Sequence, residues 1–97
     1  MTDDNAVSGG DVQERVRAYV RENFLYMRPD WKLGDDDPLL RTGVVDSIGV
    51  IELVEFVQGE FRIGVAEEEI TEQNFGTLAA IARFVSSKIR ARSTQAA

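Results

Sequence analysis

Residues 43–61 read GVVDSIGVIELVEFVQGEF, and this stretch organises the rest of the chain. From Ser47 to Phe61 the apolar residues recur at helical rather than alternating spacing, and Val50, Leu53, Val54, Val57 and Phe61 cluster on one side. That side is expected to face a core. Ile48, Glu52, Glu55 and Gly59 line up on the opposite side, with Ile51 and Phe56 flanking them. A helix of this kind has one oily face and one mixed acidic and apolar face. Exposed apolar groups beside carboxylates suit a docking surface, with oily area for affinity and charge for steering. The plainer reading is that Ile48, Ile51 and Phe56 pack under a neighbouring loop or helix.

Upstream, residues 29–46 (PDWKLGDDDPLLRTGVVD) form a long connection in which Gly34, the Asp35 to Asp37 run, Pro38 and Gly43 resist regular structure. A connection of this length is expected to be functional or pinned by its own side chains, here Trp31, Leu33, Leu39, Leu40, Val44 and Val45. Before it, Val12, Val16, Tyr19, Val20, Phe24 and Met27 share a broad helical face, with Asp11 as the expected N-cap and Pro29 as the stop. Downstream, Val65 is expected to be buried in a short link. A short helix or turn follows over residues 71–75, and Thr77 is placed to cap a last helix with Leu78, Ile81, Ala82, Val85 and Ile89 on one face. No strand-type alternation competes and there is no internal repeat. The expected fold is all-α: a small bundle of three main helices plus a short extra helix, with a long loop between the first and second. The domain is expected over residues 11–92, between flexible tails at 1–10 and 93–97.

Composition narrows the chemistry. At 97 residues there is room for one domain and one modest core. With no Cys and no His, thiol nucleophiles, Ser-His-Asp relays, zinc sites and disulfides are excluded or disfavoured. No catalytic set and no metal site can be assembled from the carboxylates, Lys, Arg and hydroxyls that remain, so an enzyme is not expected. A net charge of −6 opposes nucleic acid and anionic membranes, and favours protein partners with basic docking patches. From Asp46 to Glu72 the carboxylates of Asp46, Glu52, Glu55, Glu60, Glu67, Glu68, Glu69 and Glu72 are opposed only by Arg62. Arg83, Lys88, Arg90 and Arg92 then make the C-terminal stretch basic. No apolar run is long enough to span a membrane and the N-terminus lacks the parts of a signal peptide, so a cytosolic monomer is the expectation.

Ser47 stands where the long loop meets a helix N-terminus, and exposed N–H groups with the positive end of the helix dipole can stabilise a phosphate on its hydroxyl. On this local setting alone, the better reading is that Asp46 or Ser47 merely caps the helix.

The wider pattern reverses that order. Asp46-Ser47-Ile48, the downstream IELVEFVQGEF and then TLAAIARFV resemble the acyl carrier protein and peptidyl carrier protein family, over a continuous region from about Leu39 to Val85. In that family an Asp-Ser-Leu or close variant opens the second helix and its serine carries 4′-phosphopantetheine. The resemblance implies that Ser47 is the attachment point and that Asp46 helps recognition by the phosphopantetheinyl transferase. It further implies that Ile48, Ile51, Glu52 and Glu55 are presented to partner enzymes, with Phe56 beside them. A loading ligase for acyl or aminoacyl groups and downstream synthase enzymes would be the other partners. Gly49 replaces an acidic residue, Glu55 an apolar contact and Phe56 a smaller residue of many fatty-acid carriers, which points towards specialised biosynthesis. The absence of Cys fits, because the arm and not the chain then supplies the sulfur of a thioester. The alternative is a non-covalent helical interaction module in which Ser47 is only a cap.

Overall fold

The computed structural model describes residues 9–95, and the described chain is helical without strands: α1 (Gly9–Phe24), α2 (Ser47–Phe61), α3 (Glu72–Phe75) and α4 (Leu78–Gln95), with a 3-10 turn at Glu67–Glu69 before α3. The all-α bundle expected from the sequence is the fold observed. Of the two tails, residues 1–8 and 96–97 lie outside the described residues. α1 starts at Gly9, so Asp11 is inside its first turn instead of capping it, where its charge still suits the helix dipole.

The core is a seam of small and branched side chains. Val12, Val16 and Val20 of α1 and Leu78, Ile81, Ala82 and Val85 of α4 are buried, and these two helices make the most extensive pairing in the fold. Leu53, Val54, Val57 and Phe61 bring α2 onto the same core, with Val50 half-buried at its margin. Val65 is half-buried and not fully enclosed.

The end of α1 departs from its apolar periodicity. Met27 was expected on the buried face, yet it is 78% exposed, because the helix stops at Phe24. The Leu25 N–H is shared between the Val20 and Arg21 carbonyls, and turns closed by Arg28 N–H to Leu25 O and Trp31 N–H to Arg28 O replace the ladder. Leu25 turns inward in place of Met27. Pro29 disfavours helical geometry at Arg28, which helps to end the helix early.

The long loop is pinned as anticipated by Leu33, Leu39, Val44 and Val45, all buried, and by a half-buried Trp31 beneath the Arg28 guanidinium. Leu40 is not a pin; it is 45% exposed. Polar clamps do the rest. Arg21 donates to the Pro29 and Trp31 carbonyls at 3.0 Å each, and Arg17 donates to the Leu33 carbonyl and the Asp35 carboxylate. Leu39 N–H to Gly76 O (2.8 Å) ties the loop to the turn between α3 and α4, and Ala79 N–H to Asp35 O (3.0 Å) ties it to the first turn of α4. A side chain at Gly76 would fall 2.4 Å from the Glu72 carbonyl, so only glycine permits this turn.

Caps set the remaining boundaries. Thr71 and Thr77 hydroxyls accept from the Asn74 and Ala80 N–H groups. Arg62 leaves α2 in the left-handed conformation, and Arg92 of α4 donates to the Phe61 and Arg62 carbonyls at the negative end of α2. Glu69 accepts from Ala66 N–H and pairs with Lys88 at 2.8 Å.

These bonds, above all the one from Lys88, hold the Glu69 carboxyl below its ordinary range. A lowered folded-state value means stabilisation present above the ordinary carboxylate range and lost as the pH falls through the folded value. Acidification should therefore lower amide protection at Ala66 and around α3 before it affects Val16 or Ile81. Hydrogen exchange followed by NMR measures this, and Lys88→Met should blunt the response. An unchanged acid response in Lys88→Met refutes the assignment.

Candidate functional site

The two residues that open α2 divide their duties. Asp46 has extended backbone angles (φ −97°, ψ −176°), and its carboxylate accepts the Gly49 N–H at 2.6 Å. Its carbonyl accepts the Val50 N–H at 2.9 Å as the first intrahelical bond. Asp46 is thus the N-cap, and Ser47 is the first helical residue, exposed. The hydrogen-bond acceptor of the cap is the Asp46 carboxylate, which leaves the Ser47 hydroxyl without that task. The Ser47 and Ile48 N–H groups have no partner within the helix, so a phosphate on the Ser47 oxygen would meet donors and the positive end of the dipole. An arm joined through a phosphodiester fits this position.

Position 49 decides how closely α2 approaches α1. Gly49 is buried, and a Cβ there would lie 2.8 Å from Phe24 Cε1, 3.0 Å from Val45 Cγ1 and 3.1 Å from Asp46 Oδ1. Beside this contact runs a cleft of about 270 Å³, walled by Gly43 and Val44 of the loop, by Asp46, Ile48, Gly49 and Glu52 around the first turns of α2, and by Phe24 at the end of α1.

Of the expected docking residues, Ile48 is 72% and Ile51 51% exposed, and Glu52 and Glu55 are exposed beside them. Phe56 departs from this group. Its ring stacks on Tyr19 at 4.1 Å between centroids and meets Phe61 edge-on at 6.3 Å, so it belongs mainly to the packing between α1 and α2. The Tyr19 hydroxyl reaches the Glu52 carbonyl at 3.5 Å; burial first, then the Glu52 and Glu55 carboxylates, push its phenol above the usual tyrosine range.

Two further exposed apolar side chains went unrecognised as such: Tyr26 (69%) and Met27, just beyond Phe24. With Leu40, Ile48 and Ile51 they place the large exposed apolar groups of the described residues between positions 26 and 51 of the sequence. Periodicity assigned Met27 to the core and made no statement about Tyr26, because it could not locate the end of α1.

No protein-family model matches the chain. A curated relative, the D-alanyl carrier protein of Streptococcus suis (strain 98HAH33), is 33% identical over 67 residues, spanning 69% of this chain and 81% of the relative.

Asp46→Ala should destabilise the fold by about 1 kcal/mol through loss of the cap, whereas Asp46→Asn, with an equally good capping oxygen, should stay close to wild type. Denaturant unfolding distinguishes them. Equal losses in both variants would contradict the capping role.

Proposed function

The chain belongs to the acyl and peptidyl carrier protein family, and from this premise we propose that Ser47 carries a 4′-phosphopantetheine arm for an acyl or aminoacyl cargo. As a member of that family the chain is a carrier and not an enzyme. The observation that carries the proposal is the division of labour at residues 46 and 47: Asp46 caps α2, and Ser47 stands exposed beside N–H groups that have no partner within the helix. When attached, the arm supplies the thiol that this Cys-free chain lacks.

Each residue then has a defined part. The Ser47 oxygen would attack the pantetheine-bearing phosphorus of coenzyme A and give up its proton as the new P–O bond forms, while the diphosphate P–O bond breaks and adenosine 3′,5′-bisphosphate leaves. Asp46 fixes the first turn, and in this reading its charge also serves recognition by a phosphopantetheinyl transferase. Ile48 and Ile51 offer apolar area to partner enzymes, and Glu52 and Glu55 steer basic partner surfaces towards it. Few contacts and exposed charges make docking weak and quickly reversed, as successive visits to several enzymes require. The partners are the transferase, an adenylating ligase that loads the arm, and downstream synthases. The relative's D-alanyl name favours an aminoacyl cargo over a plain acyl one. No described helix is long and apolar enough to cross a membrane, and work in the cytosol beside the coenzyme A pool is the reading adopted.

Intact-mass measurement after incubation with coenzyme A and a promiscuous phosphopantetheinyl transferase should show the gain of one phosphopantetheine, absent in Ser47→Ala. An unmodified wild type beside a competent control carrier sinks the proposal. Charge reversal at Glu52 and Glu55 should lower turnover by a loading ligase at low salt while leaving thermal unfolding in place. Unchanged kinetics would remove these residues from the docking face.

A further inference from the structure

The cleft beside Ser47 combines an apolar wall with an acidic one. Its apolar side is formed by Phe24, Val44 and Ile48, and its polar side by two carboxylates, Asp46 and Glu52. Asp46 is committed to the Gly49 N–H, whereas Glu52 is exposed and makes no ion pair among the described residues. About 270 Å³ lies below the usual range for drug-sized ligands; it admits a small aliphatic group and one charged head, not a long acyl chain. The missing side chain at Gly49 lets the Phe24 ring lie this close to the first turn of α2.

We infer that this cleft is a resting site for the tip of the arm when the cargo is a small aminoacyl group. The α-ammonium sits by Glu52, within the field of Asp46, and the cargo side chain lies against Phe24 and Ile48. The inference rests on Ser47 bearing the arm. A neutral acyl group of the same size has only the apolar half of the site, and an anionic cargo is repelled by both carboxylates.

Affinity need not be high. A tip tethered to the residue next to the cleft experiences an effective concentration on the order of millimolar, so a site with a millimolar dissociation constant is about half occupied. An exposed ammonium–carboxylate pair with a small apolar contact belongs to that weak class. Weakness is also required, because the cargo must leave for each enzyme. Glu52 serves both surfaces: a partner cation that engages it during docking displaces the ammonium and frees the tip when an acceptor is present.

The test uses the full chain, isotope-labelled and loaded by a promiscuous phosphopantetheinyl transferase from D-alanyl- or propionyl-coenzyme A, two cargoes that differ only by the ammonium. Intact mass is read first; failure to load beside a competent control overturns the attachment reading, and with it this one. Once loading is established, NMR reads the cleft itself at low salt and mildly acidic pH. The D-alanyl form should shift the Gly43, Val44, Ile48 and Gly49 amides relative to the bare arm, and the propionyl form should shift them less. In Glu52→Gln the two cargoes should look alike. The ammonium pKa should be higher in wild type than in Glu52→Gln by about half a unit, the effect of an exposed pair. Identical spectra for the two cargoes in wild type, or a difference that persists in Glu52→Gln, would overturn the inference without touching the attachment at Ser47.

Discussion

The approach of α2 to the end of α1 is governed by the absence of one side chain. Around the place where a Cβ of residue 49 would stand are the Phe24 ring, a Val45 methyl and the Asp46 carboxylate, all at or inside contact distance. Interiors of this density transmit such a restriction, since no neighbouring void can absorb an added methyl without a shift. The same residue supplies the N–H that the Asp46 carboxylate accepts. Helix capping and helix–helix contact therefore converge on Gly49, two residues beyond Ser47. The hydroxyl is presented on a turn whose direction and whose cap are both set by its neighbours.

The long loop supports that turn from the other side. Irregular backbone in a small domain leaves carbonyls that need partners. Here Arg17 and Arg21, on the flank of α1 beside the valine seam, donate to the carbonyls of Pro29, Trp31 and Leu33, while Leu39 bonds to the turn before α4 and Asp35 to the first turn of α4. Both ends of the connection are thus tied to the α1 and α4 pair before the chain reaches Ser47. In the role proposed for Ser47, a fixed anchor of this kind would leave the mobility to the arm.

Charge is distributed along the same logic. Arg92 occupies the carboxyl end of α2, Arg15 pairs with Glu60, and Lys88 holds Glu69. Glu52 and Glu55, nearer Ser47, have no such partners among the described residues. The cations paired with α2 and with Glu69 lie towards the far end of α2, and the unneutralised carboxylates lie nearer Ser47.

By itself the sequence determined the helical class, the span of α2, the buried faces of α2 and α4, and Ser47 as the residue to watch. These depend on periodicity and on a local motif, which are properties of a few neighbouring positions. Where α1 ends was not legible, because Met27 satisfies the helical period and only the turn at Leu25 and Pro29 decides otherwise. Whether Asp46 or Ser47 caps α2 was open as well, since either side chain is chemically able to do so; backbone angles and the bond to Gly49 chose Asp46. Phe56 read as part of an exposed flank until Tyr19, far away in sequence, provided a ring to stack on. The cleft beside Ser47 was decided by tertiary structure alone. Its walls come from α1, the loop and α2, and no local pattern records that Phe24 and Gly49 meet.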